Sequence, residues 1–518
     1  MNNIKFILVA FFTFSFLSTT SLLAQDVTMV KVVKNDSTPI ISKHIYGHFA
    51  EHLGRCIYGG FYVGEDSDIP NTDGIRNAVI DALKELKVPN LRWPGGCFAD
   101  TYHWKDGVGP KDERPSMVNK WWGGVVEDNS FGTHDFLNLC EVLDAEPYLA
   151  ANVGSSSVKE FTEYIQYVTR ENGVPMADYR IENGRKEPWN VKFWGVGNEM
   201  WGCGGNMTPE HYANIYKQYA TFMTDWTNSD GFYRIASGAN VADYNWTEVL
   251  MREIPNNLIE GVALHSYSFV EWNKKGSATD FDEAQYFSTM QTALRMDDLI
   301  RKHTEIMDKY DPKHNIALIV DEWGGWYQVE EGTNPGFLYQ QNTMRDAMIA
   351  GTTLNTFNNW AERVKMANLA QTINVLQAVI LTKDEKILLT PTYHVMKMYN
   401  VHHDAKLLPV SFESPDYEFN GETLPAISIS ASEDNNGAKH FSLVNIDSEK
   451  ENKVELDVED LNIKSVSGQI LTSDKLQDHN TFEDSNHIMP SEFKDFKLKK
   501  GKLTVTLPPF SVIVIEGK

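Results

Sequence analysis

Between about residues 40 and 395, short runs rich in Val, Ile, Leu and aromatic residues alternate with longer stretches whose apolar positions recur every three or four residues. The first pattern predicts strands and the second predicts amphipathic helices. Eight strand-like runs stand out: His44–Glu51, Asn90–Gly95, Glu146–Val153, Lys192–Glu199, Tyr233–Ala239, Gly261–Tyr267, Asn315–Glu322 and Met366–Val375. Helical spacing is clearest in Gly74–Leu86, His211–Trp226, Ala284–Tyr310 and Tyr339–Asn358. Strands separated by helices must run parallel, and eight such units predict a (β/α)8 barrel over residues 41–398. An open doubly wound sheet would place a Gly-rich phosphate turn after its first strand, and the sequence has none there.

The pattern changes near residue 400. Leu407–Phe412, Ala426–Ala431, His440–Asn445, Lys453–Val458 and Lys502–Ile515 read as strands separated by Asp, Asn, Ser and Gly turns, with almost no helical periodicity. This predicts an α/β chain, a (β/α)8 barrel followed by an all-β sandwich domain over residues 399–518. The run Val27–Val33 precedes the barrel, and residues 26–40 are expected to add a strand to the C-terminal sheet.

Composition narrows the partners. With 42% hydrophobic and 23% charged residues the chain can bury a large core. A net charge of -24 excludes nucleic acid as the expected partner, because a polyanion is held by basic surface that displaces counterions. At the N-terminus, Lys5 precedes the apolar stretch Phe6 to Leu17, and Ala24 offers a small residue for cleavage. Residues 1–25 therefore read as a signal peptide, with the protein exported to the periplasm or the extracellular space. The stretch is short of the ~20 residues of a membrane span, so no membrane anchor is expected. The four cysteines, Cys56, Cys97, Cys140 and Cys203, form no metal-binding spacing and read as buried free thiols.

Catalytic groups of such barrels lie where strands end at the C-terminal rim. The strand ends here carry Glu51, Arg92, Asn198, Glu199, His265, Tyr267 and Glu322. Two segments dominate. In Lys192–Gly202 an apolar strand ends in Asn198–Glu199, and in Asn315–Tyr327 another ends in Asp321–Glu322–Trp323. They close strands four and seven, whose ends can face each other across a barrel mouth. Paired carboxylates are what glycoside hydrolysis requires, one protonated to donate to the leaving oxygen and one ionised to attack the anomeric carbon. Neighbouring Trp and the opposing negative charge would raise the pKa of the first.

The segments Phe49–Gly60 (FAEHLGRCIYGG), Leu91–Gly96 (LRWPGG), Trp194–Gly202 (WGVGNEMWG) and Val320–Tyr327 (VDEWGGWY) together resemble glycoside hydrolase family 51, the α-L-arabinofuranosidases of clan A, over the whole mature chain. The resemblance implies an exo-acting, retaining enzyme that removes terminal arabinofuranosyl groups from plant polysaccharide or oligosaccharide. It implies Glu199 as acid/base, Glu322 as nucleophile, and Glu51, Arg92, Asn198, His265, Tyr267 and Gln371 as substrate-binding or supporting residues. It also implies a homo-oligomer, often a hexamer. Trp323 and Trp326 are candidate subsite walls. Cys97 stands where many members carry Asn, so it is expected beside the site as a buried thiol. No cofactor is expected, because two carboxylates and a water suffice.

Three other readings compete. An endo-acting glucanase or xylanase would use the same carboxylates. A non-catalytic carbohydrate-binding protein would be expected to lack one of them, and both are present. His48, Glu51 and His52 fit H-x-x-E-H, but that zinc pattern requires a helix, and the surrounding Tyr46–Gly47 and Leu53–Gly54 predict strand and loop, so no metal is expected.

Overall fold

The computed structural model describes residues 27–35, 37–227 and 231–518. Eight strands close a parallel barrel: β1 (Gly47–Phe49), β2 (Asn90–Trp93), β3 (Glu146–Ala151), β4 (Phe193–Val196), β5 (Tyr233–Asn240), β6 (Gly261–Ser268), β7 (Ala317–Gly325) and β8 (Val364–Ala370). All eight runs read from the sequence contribute a strand. Their continuous apolar character follows from burial on both faces. Every residue of β7, including the polar Asp321 and Glu322, is buried.

The barrel interior is filled, not hollow. Tyr148, Phe193, Ile235, Ala263, Ala317, Ile319 and Met366 form one cluster, contributed by six strands. Helices cover the outside, among them Asn77–Leu86, Pro209–Phe222, Glu283–Tyr310 and Met344–Asn359. Helices Thr133–Leu143, Val158–Thr169, Pro175–Glu182, Tyr244–Glu253 and Pro391–Met398 were not singled out by periodicity.

Beyond the barrel lie a five-stranded and a six-stranded sheet, mostly antiparallel. Strand Val27–Val32 lies in the first, parallel to Asn452–Asp457 and antiparallel to Val410–Ser411. The run Lys502–Ile515 is two strands, Lys502–Leu507 and Ser511–Gly517, because Pro508 and Pro509 cannot donate to a ladder. Helix Met344–Asn359 is almost wholly buried between barrel and sandwich. Asn355 and Asn358 donate to Ser428 and Ser430 of the facing sheet, and a side chain at Gly351 would meet Val444 and Val512. These contacts seat the sandwich on the barrel.

The stretch read as a signal peptide lies outside the described residues. Among the described residues, no helix is long and apolar enough to cross a membrane.

Candidate active site

The rim residues converge because the strands are parallel, so all their C-terminal ends open on one side. Two irregularities refine the aim. The β6–β7 register shifts between Ala263 and His265, and the β7–β8 register shifts between Val320 and Trp323. Such bulges turn side chains that regular pairing would send elsewhere. They set His265 opposite Glu322, and Tyr267, two residues on, shares its face.

Glu322 is buried among donors. Arg92 Nη1 donates to Oε1 at 2.9 Å and Tyr267 Oη donates to Oε2 at 2.8 Å, while His265 Nδ1 lies 3.5 Å from Oε2. Arg92 Nη2 donates to Asn198 Oδ1 at 2.6 Å. That contact settles the Asn198 amide: its oxygen faces the guanidinium, so its NH2 points the other way, with Nδ2 3.8 Å from Cys203 Sγ. The strand end must come close here, and it does so at glycine. A Cβ on Gly96 would sit 2.8 Å from Glu322 Oε1, and one on Gly95 would sit 2.7 Å from Glu51 Cγ.

Glu199 follows Gly197 and Asn198 in the turn after β4 and has φ of 44°, a left-handed conformation that costs a non-glycine residue energy and marks functional sites. The turn is braced by Asp100. Its carboxylate accepts from the N–H groups of Asn198 at 2.9 Å, Val153 at 2.8 Å and Gly154 at 2.7 Å. His265 Nδ1 donates to Glu199 Oε1 at 2.8 Å. Oxygens of Glu199 and Glu322 lie within 4.8 Å of each other and of a His265 ring nitrogen. Burial raises the pKa of Glu199, and the charge of Glu322 adds to this, while His265 and Arg92 oppose it.

His265 is buried, which disfavours its charge, but Glu322, Asp321 and Glu199 outweigh this and push it up to about 10. It is therefore an imidazolium at neutral pH, with Nε2 donating to Asp321 at 3.2 Å. Burial works against Arg92 too, yet Asp321 and Glu322 raise its pKa. Asp321, against Arg92, His265 and the Tyr148 hydroxyl at 2.7 Å, stays below the ordinary range despite its burial. Replacing Arg92 by Met would strand two buried carboxylates. The expected cost is about 3–5 kcal/mol of stability, read as a lower thermal midpoint; an unchanged midpoint would mean the network does not hold the site.

Glu51 is buried beside Gly95. It accepts from Phe98 N–H at 3.1 Å, Trp122 Nε1 at 2.9 Å and Gln371 Nε2 at 2.9 Å. Burial, and then the charge of Glu322, push its pKa up to about 7 against these donors. Gln371 Oε1 is buried and has no hydrogen-bond partner among the described residues. Trp326 is partly exposed and meets Tyr267 at 5.1 Å and the exposed Trp272 at 5.5 Å between ring centroids.

Two expectations need correction. Trp323 is 1% exposed and packs edge-on against Phe357, so it belongs to the layer between strand and helix and lines no subsite. Cys97 is not a free thiol but is bonded to Cys203, with Cα atoms 5.5 Å apart; Cys56 and Cys140 are free and buried. His48 and His52 lie on β1 and the turn after it, not on a helix, and Trp93 Nε1 donates to His52 Nε2 at 3.2 Å. Trp122, Asp100, Tyr148 and Trp272 were missed by sequence reasoning. Trp122 and Trp272 come from loops, and Asp100 and Tyr148 act through other residues, so no strand-end rule finds them.

Comparison with known proteins places this geometry. The profile of the α-L-arabinofuranosidase 1 domain matches residues 82–285, and that of the α-L-arabinofuranosidase C-terminal domain matches residues 321–511. An intracellular exo-α-L-arabinofuranosidase of Bacteroides ovatus is 49% identical over 96% of both chains. The crystal structure of a family 51 arabinofuranosidase from Xanthomonas axonopodis pv. citri is 44% identical with a TM-score of 0.92, over 95% of this chain and all of that one. The arabinose complex of the Thermotoga maritima α-L-arabinofuranosidase is 30% identical with a TM-score of 0.82, over 94% and 99%. The name of the Bacteroides relative overturns the expectation of export: a protein this similar along its whole length is called intracellular, and the apolar N-terminal stretch, read by composition alone, misled. With that correction, sequence profile, full-length relatives and superposed fold agree that the chain belongs to the α-L-arabinofuranosidases of glycoside hydrolase family 51.

Proposed function

We propose that this protein is an exo-acting, retaining α-L-arabinofuranosidase in which Glu322 is the nucleophile and Glu199 the general acid/base. One observation carries the assignment: two carboxylates from the ends of β4 and β7 approach within 4.8 Å over a shared histidine. A retaining pair sits about 5–5.5 Å apart, whereas an inverting pair needs room for water at about 6.5–9.5 Å.

Each role follows from the neighbours. Glu322 is surrounded by a guanidinium, a hydroxyl donor and an imidazolium, which suit an attacking carboxylate. Glu199, whose pKa burial raises, can carry a proton at working pH. Glu322 attacks the anomeric carbon, the glycosidic C–O bond breaks, and Glu199 protonates the departing oxygen. Glu199, now ionised, takes a proton from water; the hydroxide attacks the same carbon and Glu322 is released. The Asn198 NH2 binds the sugar 2-OH, while Glu51 and the free oxygen of Gln371 accept from other hydroxyls.

The substrates carry terminal arabinose. Oligosaccharide fragments of plant polysaccharides suit an enzyme inside the cell, the location named for the Bacteroides relative. Assay on arabinofuranosyl oligosaccharides and on carboxymethylcellulose tests the exo reading. Free arabinose as the sole early product supports it, and shortened glucan chains would contradict it.

Glu51→Gln keeps the shape but turns an amide group toward donors that need an acceptor. We expect kcat/KM to fall about 10- to 150-fold, the equivalent of about 1.5–3 kcal/mol for hydrogen bonds to a charged group, with a lower thermal midpoint as well, because a buried donor loses its acceptor. A change under about twofold would remove Glu51 from the binding set.

A further inference from the structure

The disulfide Cys97–Cys203 joins two loops at the rim. Cys97 lies between Gly96, which abuts Glu322, and Phe98, whose N–H is bonded to Glu51. Cys203 lies in the turn that follows Glu199, where Gly202 and Gly204 donate their N–H groups to the Glu199 carbonyl at 2.7 and 3.2 Å. The bond thus spans from the strand end that supports Glu51 and Glu322 to the strained turn that presents Glu199.

The contact with Glu199 is close. Cys203 Sγ is 3.6 Å from Glu199 Oε2, the carboxyl oxygen that His265 does not hold. A disulfide sulfur carries no proton, so this is packing and not a hydrogen bond. Oε2 therefore has a rigid, weakly polar neighbour on one side and is left free to exchange its proton with substrate. Both cysteines are partly exposed, so a small reductant can reach them.

We propose that the Cys97–Cys203 disulfide is a positioning element for the acid/base: it fixes the Glu199 turn against the loop beside Glu51 and Glu322, and its reduction impairs proton delivery to the leaving oxygen while sparing attack at the anomeric carbon. This rests on the reading of Glu199 given above. An external dithiol supplies two electrons and two protons. The S–S bond breaks, two S–H groups form, and the dithiol closes to its own disulfide. Two changes then act together: the turn loses its tether, and a new S–H faces Oε2, where donation favours the ionised carboxylate and works against the acid role. Inside a cell, where thiol reductants are abundant, the bond makes activity responsive to redox poise.

The test uses the full chain, oxidised and after treatment with dithiothreitol, on aryl α-L-arabinofuranosides running from dinitrophenyl to phenyl. Dinitrophenolate departs without protonation, whereas phenolate needs it. On reduction kcat/KM for the phenyl compound is expected to fall about tenfold or more, a fraction of what general acid catalysis contributes, with less than about threefold change for dinitrophenyl. Reoxidation is expected to restore it, and the Cys97→Ala/Cys203→Ala variant, which lacks the tether but also the S–H beside Oε2, to show a smaller loss confined to the same substrates. No change, or an equal loss across the series, would overturn the proposal, as would four titratable thiols in enzyme never exposed to reductant. Glu199→Ala is run alongside. If it steepens the leaving-group dependence while reduction does not, the acid/base reading stands and the disulfide proposal falls; if it leaves the dependence flat, the reading of Glu199 falls first.

Discussion

Glu322→Ala is expected to lower kcat/KM at least about 10⁴-fold on every arabinofuranoside, because removal of a covalent nucleophile closes the main route whatever the leaving group. The cavity left by the carboxylate is bordered by Arg92 Nη1 and Tyr267 Oη, the two groups that hold Glu322 in place. A small anion fits that environment, so azide is expected to restore part of the turnover on an activated aryl substrate. Because azide then makes a single direct displacement, the product is the arabinosyl azide of inverted configuration. Retained activity without azide would sink the assignment. So would azide product of retained configuration, because that requires a covalent intermediate formed on another residue.

Glu199→Ala is expected to behave differently in three respects. Loss should be about 10²–10⁴-fold on substrates with poor leaving groups and small on dinitrophenyl arabinofuranoside, whose first step needs no acid. Azide should accelerate the second step and give the arabinosyl azide of retained configuration, since the covalent intermediate has already inverted the centre once. The third respect is pH. An acid must be protonated to act, so activity falls as pH rises through its pKa. Burial and the charge of Glu322 raise that pKa for Glu199, so the basic limb of kcat/KM lies above the ordinary carboxylate range in the parent enzyme and disappears in Glu199→Ala. A basic limb that survives the substitution would assign it to another group.

The barrel was legible because its strands are buried on both faces, and a short unbroken apolar run between helical stretches fits a buried parallel strand better than any half-exposed element. The ends of those runs pointed to the catalytic pair for the same reason: a Glu closing the run LIVDE is costly to bury without a partner or a task. The arrangement between strands was not legible. Nothing in ALHSYS announces the register shift that sets His265 against Glu322. Trp323 and Trp326 look alike in the chain, but one lies under the strand against Phe357 and the other stands at the rim beside Tyr267. The disulfide was hidden by a separation of 106 residues, although Cys97 and Cys203 each follow a strand end by a few residues and so had to share a rim. Cellular location was misread because a short apolar N-terminus is a compositional cue with no geometry behind it.

In this mechanism Glu322 becomes covalently bonded to the sugar. A 2-deoxy-2-fluoro arabinofuranosyl donor with a good leaving group tests it directly. Fluorine disfavours the oxocarbenium-like transition states of both steps and removes the contact to Asn198, while the leaving group lets the first step proceed, so the ester accumulates. Peptide mass mapping of the trapped enzyme is expected to find one fluoroarabinosyl group on Glu322. The same label on Glu51, Asp100, Glu199 or Asp321, carboxylates grouped around this site, would rule out Glu322 as the nucleophile.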